Sequence, residues 1–272
     1  MNRKWGLVYN IHVKKAISLA EDVFDFLSEK DEVFIEKNFS KEKKFKEYTL
    51  EEINKKSDII ITIGGDGTIL RALEKVDKPV FSINSGGMGF LSEVESKYAT
   101  GGLKKVIAGD YNVEERAKLK IILDDKRLPD AANETTVQTD RIAKIMYLQI
   151  FVDGELIETF GADGVIIATP TGSTSYALSA GGPILDPSVE AMVIAPLAPF
   201  KLSARPWIVP LKKKIQIKLL PTSKECKLVI DGENPQSVTT ENNIVITGSE
   251  KKARFIRFGE SFYQMVRLKL VR

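Results

Sequence analysis

SDIIITIGGDGTILR, residues 57–71, joins a short apolar run to a glycine-rich turn and an apolar helical pattern. Ile59, Ile60, Ile61 and Ile63 leave no room for polar alternation, which predicts a strand buried on both faces of a mainly parallel sheet. Gly64, Gly65 and Gly67 lack a Cβ, so they can take φ > 0 and leave backbone N–H groups uncovered. Thr68, Ile69, Leu70, Ala72 and Leu73 then begin a helix whose positive end faces the same space. Such a turn is a place to hold phosphate. Asp66 is the oddity, because a fixed carboxylate repels phosphate unless a magnesium ion or an exchanged proton justifies it; it reads as a base or a metal partner. On the motif alone, the turn is also compatible with a plain strand-to-helix connection.

Outward from this turn, alternating strand and helix patterns run from the start to about Gly109 and predict a layered parallel sheet. Trp5 to Tyr9 reads as a first strand, and Val13, Ile17, Ala20, Phe24 and Leu27 as one helical stripe. Glu32 to Ile35 reads as a second strand. Thr49 with Glu52 is a capping-box signature for a helix over residues 50–56. Val80 to Ile83 is the next strand, and its exit, Asn84 to Leu91, is again glycine-rich. Ligands gather beyond the carboxyl ends of parallel strands, so two such exits on neighbouring strands would share one crevice. The G-x-G-x-x-G dinucleotide fingerprint is absent.

After Asp110 the strand-like runs 119–123, 145–152, 156–160, 165–168, 215–219, 228–230 and 244–246 are separated by turns, with Asp153-Gly154 as a hairpin turn. The expected organisation is an α/β domain over 1–109, a mainly β domain over 110–250, and a segment, 251–272, that returns to the first domain.

A chain of 272 residues with 43% hydrophobic content can bury a core in each of two domains. Forty basic against thirty-seven acidic side chains leave a net charge of +3, so a pI near 8.7 does not by itself predict nucleic-acid binding. The lysines at 41–46 and 212–214 read as solvated surface. Cys226 is alone, which excludes an intrachain disulfide and suits a reducing cytoplasm; the single His12 has no triad or zinc pattern around it. No run approaches the roughly 20 apolar residues of a membrane span. The longest apolar patch, Ala191 to Phe200, is broken by Pro196 and Pro199. The expectation is a cytoplasmic protein with neither nucleic acid nor membrane as partner.

A second chemical stretch is GADGVIIATPTGSTSYALSAGGP, residues 161–183. Hydroxyls of Thr171, Ser173, Thr174, Ser175 and Ser179 crowd around Gly172 beside Tyr176. Hydroxyls with one aromatic face suit a nucleoside. A Ser/Thr-capped loop before a helix is the structural alternative.

GGDGT at 64–68, NxGxxGFL at 84–91, Asn133-Glu134, TPTGSTSYALSAGGP at 169–183 and LSARP at 202–206 together resemble the NAD kinases. Diacylglycerol and sphingosine kinases and phosphofructokinases carry related glycine-rich Asp motifs, but not the TPTGST stretch. The resemblance implies a Rossmann-like phosphate-donor domain and a β-rich NAD-binding domain. It also implies transfer of the γ-phosphoryl of ATP, or of polyphosphate, to the 2′-hydroxyl of the adenosine ribose of NAD, with Mg2+ as cofactor. Asp66 would be the proton acceptor, with Gly64, Gly65, Gly67 and Thr68 around the phosphate. Asn133 and Glu134 would hold ribose hydroxyls; Thr171, Thr174, Ser175, Tyr176, Ala177, Leu178 and Ser179 would line the adenosine site. Arg71, Lys144, Asp163, Ala198 and Gln236 fall at further NAD contacts of the family. Gly161 stands where members that look restricted to NAD carry arginine, which implies use of NADH as well. The family forms homo-dimers or homo-tetramers through its β domains. A lipid kinase sharing GGDGT, or a non-catalytic NAD-binding sensor, are the competing readings; no set of metal ligands is evident.

Overall fold

The computed structural model describes residues 3–37, 46–86, 89–221, 223, 225–259 and 261–270. The lysine cluster at 41–46 lies, but for Lys46, outside them. The chain divides into two units, Met1–Glu115 with Ala253–Arg272, and Arg116–Lys252. In chain order the strands and helices are β1 (Lys4–Tyr9), α1 (Lys14–Ser28), β2 (Glu32–Glu36), β3 (Glu47–Tyr48), α2 (Leu50–Lys56), β4 (Ile59–Gly64), α3 (Asp66–Lys75), β5 (Val80–Asn84), β6 (Val94–Glu95) and α4 (Ala99–Ala108). There follow β7 (Asn112–Leu123), β8 (Lys126–Arg127), β9 (Glu134–Thr139), β10 (Met146–Val152), β11 (Glu155–Ala162), β12 (Gly164–Ala168), α5 (Tyr176–Ser179), β13 (Ala191–Leu197), β14 (Trp207–Pro210), β15 (Ile215–Leu219), β16 (Cys226–Ile230), β17 (Glu233–Val238), β18 (Ile244–Arg257) and α6 (Phe262–Leu270).

In the first unit β3, β2, β1, β4 and β5 lie side by side, all parallel, and the end of β18 adds to β5 through Phe255↔Val80. Every residue of β4 is buried, as its unbroken isoleucines require. Ile59, Ile61 and Ile63 join Trp5, Leu7 and Tyr9 in one core cluster, which α1 and α4 cover with Ala20, Val23, Leu27, Leu103 and Val106. Thr62, the one polar residue in the run, donates its hydroxyl to Ser82 Oγ at 2.9 Å, so neither of these two hydroxyls is stranded in the sheet.

The buried stripe of α1 is Ala16, Ala20, Val23 and Leu27. Ala20 and Leu27 of the expected stripe are buried, but Ala16 and Val23 take the places expected of Ile17 and Phe24, which pack only partly, and Val13 precedes the helix and is exposed. Small alanines at the centre of the face let the helix lie close to the sheet, and the bulkier side chains are left at its margin.

The second unit is a pair of antiparallel sheets. One runs β11-β10-β15-β18, the other β14-β13-β12-β9-β16-β17. Leu148, Ile150, Ile217 and Ile246 from the first sheet share a core with Val137, Val165, Ile167, Ile194 and Leu228 from the second. Asp153 and Gly154 both have positive φ, 50° and 87°, in the tight β10–β11 turn. The apolar patch from Ala191, too short and too proline-broken for a membrane span, forms strand β13 through Leu197. Its partner β14 stops at the pair Ile194↔Trp207, so Pro196 has only β12 beside it and its missing N–H leaves no ladder bond unmade on the open side. Among the described residues no helix is long and apolar enough to cross a membrane.

The capping box at α2 is complete: Thr49 Oγ1 accepts from Glu52 N–H and Glu52 Oε2 accepts from Thr49 N–H. Thr49→Ala should cost about 1 kcal/mol, read as faster hydrogen exchange across α2, with Thr49→Ser restoring protection. Unchanged exchange in the alanine variant would show that tertiary packing alone holds this helix.

Candidate active site

The glycine turn at the end of β4 takes its shape from close approach and not from unusual dihedral angles. None of Gly64, Gly65 and Gly67 has positive φ, contrary to expectation; Gly65, for instance, sits at φ −93°, ψ −174°. A Cβ on Gly64 would lie 2.3 Å from Thr68 Oγ1, so glycine is required there to let α3 fold back over the strand end. At Gly65 and Gly67 a Cβ would meet nothing, which leaves the backbone open to a ligand.

Helix α3 begins at Asp66, two residues earlier than the apolar pattern suggested. Asp66 therefore occupies the first turn, where the helix dipole favours negative charge. Its carboxylate is bound: Oδ2 accepts from Phe90 N–H at 2.7 Å and Oδ1 from Leu91 N–H at 3.1 Å. A Cβ on Gly89 would lie 2.6 Å from Asp66 Oδ1, so the second glycine-rich exit is shaped to receive this side chain. β4 and β5 are adjacent, with Gly64 opposite Asn84 and Ser85 N–H donating to Gly64 O, so the two exits meet as expected. The C-terminal segment holds the same loop. Arg257 donates to Leu91 O at 3.1 Å and pairs with Glu93 at 3.0 Å, and Lys269 donates to Gly89 O while lying over the Phe90 ring.

Arg71 lies one helical turn beyond Thr68, where its guanidinium pairs with the Glu36 carboxylate and donates to Tyr9 O at 3.2 Å. Among the described residues no three His, Cys, Asp or Glu side chains group as a metal cage.

In the second unit, Asn133 and Glu134 stand where β9 begins, both buried. Asp231, at the turn after β16, accepts from the N–H groups of Ala132, Asn133 and Glu134 at 2.7, 2.8 and 2.9 Å. Glu134 Oε1 accepts from Ser175 Oγ at 3.4 Å. Burial first, and then the Asp231 carboxylate, push the Glu134 carboxyl up to about 8. Asn133 Oδ1 and Glu134 Oε2 are buried and without a hydrogen-bond partner among the described residues. A buried polar atom left bare costs roughly 1–3 kcal/mol, which is recovered when a ligand supplies the missing bond.

The hydroxyl-rich stretch folds over this pair. Thr169 N–H donates to Asn133 O and Thr169 Oγ1 to Ala132 O, after which Thr171–Thr174 forms a 3-10 turn leading to α5. Ser173 Oγ is spent inside the fold, donating to Pro170 O and accepting from Leu185 N–H. Ala177 is wholly buried against Ile166, Ala168, Val193 and Ala195, so its side chain supports the loop from beneath. Tyr176 and Ser179 are exposed, while Thr174, Ser175 and Leu178 are half-buried. Gly161, Asp163 and Ala198 come together at the β11–β12 and β13 ends: Asp163 N–H donates to Leu197 O and Phe200 N–H to Gly161 O. Ala198 takes φ +46° there. Lys144 and Gln236 are exposed; the Gln236 amide donates to Asn234 O at 3.2 Å.

Asp231 is the residue that sequence reasoning passed over. It reads as one half of an Asp-Gly turn, and its partners lie 97 to 99 positions away, where no spacing rule reaches.

Comparison with known proteins covers both units. Residues 5–111 match the ATP-NAD kinase N-terminal domain and residues 132–258 the ATP-NAD kinase C-terminal domain. The NAD kinase of Methanothermobacter thermautotrophicus is 42% identical over 271 residues, 98% of this chain and 95% of that protein. Yeast NADH kinase complexed with NADH superposes with TM-score 0.91 at 25% identity, covering 99% of this chain and 87% of the other. An NAD kinase from Archaeoglobus fulgidus in complex with ATP gives TM-score 0.79 at 30% identity, covering 97% and 98%. With both of its halves matched and near-complete relatives at this identity, the chain belongs to the NAD kinase family.

Proposed function

We infer that this chain is an NAD kinase, which transfers the γ-phosphoryl of ATP to the 2′-hydroxyl of the adenosine ribose of NAD and so makes NADP. The observation that carries the reading is the buried Asn133–Glu134 pair, whose bare Oδ1 and Oε2 atoms want the hydroxyls a ribose provides, in a chain of this family. Both family models describe ATP-NAD kinases, so the lipid-kinase alternative is not favoured.

In this reading the first unit handles phosphate. The open backbone at Gly65 and Gly67 and the first N–H groups of α3 receive the donor's phosphates. Asp66 accepts the proton of the attacking 2′-hydroxyl as the new oxygen–phosphorus bond forms and the bond to the β-phosphate oxygen breaks, releasing ADP. Each Asp66 oxygen spends one acceptor position on a backbone N–H and keeps another for this proton. Mg2+ fits a site of this kind: with no cage of protein ligands among the described residues, it would be held by donor phosphates and water with Asp66 as the protein oxygen, and would neutralise phosphate charge. Polyphosphate, which offers the same terminal phosphoryl group, is an alternative donor.

The second unit handles the acceptor. Asn133 and Glu134 bind the ribose, Tyr176 supplies an exposed face for stacking on adenine, and Thr171, Thr174, Ser175, Leu178 and Ser179 line the base with hydroxyls and backbone. Lys144, Asp163, Ala198 and Gln236 are assigned to the rest of NAD. Exposed Phe200, Leu202, Trp207 and Ile208 on this unit support a homo-dimer or homo-tetramer. The buried, lone thiol of Cys226 is in keeping with a cytoplasmic enzyme.

Asp66→Asn should lower turnover on the order of 10² to 10⁴-fold while NAD affinity, measured by calorimetry, stays close to that of the unmodified protein. Near-normal turnover at saturating substrate would reassign Asp66 to a purely structural tie between the two loops.

Gly161 bears on the acceptor's oxidation state. Glycine supplies no guanidinium to hold the acceptor in one geometry, and likeness to an NADH kinase supports use of both NAD and NADH. NADH should be phosphorylated with kcat/KM within about tenfold of NAD, a difference of about 1.4 kcal/mol. In Gly161→Arg the new Cβ would press on Tyr147, 2.9 Å away, but that ring is exposed and free to swing out, so the variant should fold and prefer NAD. A strong preference for NAD already present in the unmodified protein would place the discrimination elsewhere.

A further inference from the structure

We propose that Glu134 binds the acceptor as an uncharged carboxylic acid, donating a hydrogen bond to a ribose oxygen, and that Asp231 is the positioning residue that keeps it in this form. The proposal rests on the acceptor site assigned above and adds the proton to it.

Two buried carboxyl groups share this corner, and their surroundings differ. Asp231 receives three backbone N–H groups at 2.7 to 2.9 Å, and Lys118 acts on it favourably from β7. Glu134 receives one weak donor, the Ser175 hydroxyl at 3.4 Å, and Oε2 has none. The groups acting on Glu134 are Asp231 and Ser175, and neither is a cation. When two neighbouring carboxyls are taken out of water, the negative charge stays where donors surround it and the proton goes to the other. Burial leaves the Asp231 carboxyl raised as well, but three N–H bonds and Lys118 favour its charged form and Glu134 has only the Ser175 hydroxyl to do so. The charge therefore resides on Asp231, and Glu134 keeps its proton up to a pH of about 8.

The consequence for recognition is chemical. An ionised glutamate only accepts, whereas the acid offers one O–H donor and one acceptor, the complement of a hydroxyl that both donates and accepts. Asp231 acts twice: its bonds to Ala132, Asn133 and Glu134 fix the backbone that presents the pair, and its charge keeps the proton on Glu134.

The test is NAD affinity by calorimetry between pH 6 and 10 for the whole protein. NAD has no group that titrates in this range. The unmodified protein should hold constant affinity up to about pH 8 and then weaken about tenfold per pH unit as the proton leaves Glu134. Glu134→Gln, which keeps an uncharged donor and acceptor, should bind at comparable affinity at pH 7 and lose the fall above pH 8. Asp231→Asn removes the neighbouring charge and should move the break to lower pH. If that variant does not fold, the glutamine variant alone decides. A flat profile in the unmodified protein, or a glutamine variant that retains the fall or binds far more weakly at pH 7, would overturn the proposal. Absence of NAD binding at every pH in the unmodified protein would overturn the acceptor site itself.

Discussion

The carboxylate of Asp66 holds two loops together, and the first unit is arranged around that tie. A carboxylate at the start of a helix is stabilised by the helix dipole, and its bonds to the Phe90 and Leu91 N–H groups are charge-assisted, each worth roughly 1.5–3 kcal/mol. Gly89 has to be glycine for the side chain to reach them. Arg257 and Lys269 grip the same loop from the end of β18 and from α6, so the chain's C-terminal segment is part of the support. The backbone donors stabilise the Asp66 charge without cancelling it, and leave a fixed acceptor at the edge of an open backbone.

The second unit uses the same device differently. Asp231 is saturated with N–H donors, and its neighbour Glu134 is starved of them. Because burial raises the Glu134 carboxyl from 4.5 to about 8, the folded state holds a proton that the unfolded chain releases. That contribution to stability is fully present below pH 4.5 and is lost as pH rises through 8, so near neutrality the fold carries a cost at this residue. A cost accepted at a buried, incompletely bonded group is what a binding site looks like before its ligand arrives.

Much of this was legible in the chain. The isoleucine run of β4, the capping box at Thr49 and Glu52, and the Asp153-Gly154 turn are local signals, and local physics decides them. The family resemblance rested on contiguous motifs, three of which fall at the ends of β4, β5 and β12. What escaped were features set by distant partners. β9 reads ETTVQT, polar enough to pass for a loop, yet β12 and β16 flank it on both sides and bury Thr135 and Thr136. β13 is not read as a strand from the sequence; its Pro196 is tolerated because a proline's cost depends on whether a strand lies beside it, and β14 ends before that point. Gly64 reads as conformational freedom, whereas its contact distance to Thr68 shows that space is the constraint, as it is for Gly89 against Asp66.

The central claim is that this chain phosphorylates the 2′-hydroxyl of the adenosine ribose of NAD. The most direct measurement incubates the purified protein with NAD, ATP and magnesium and locates the new phosphate by phosphorus and proton NMR. The account predicts NADP with the phosphate on the 2′-oxygen of the adenosine ribose. Phosphate at another position, or bound NAD left unmodified while ATP is present, would contradict it.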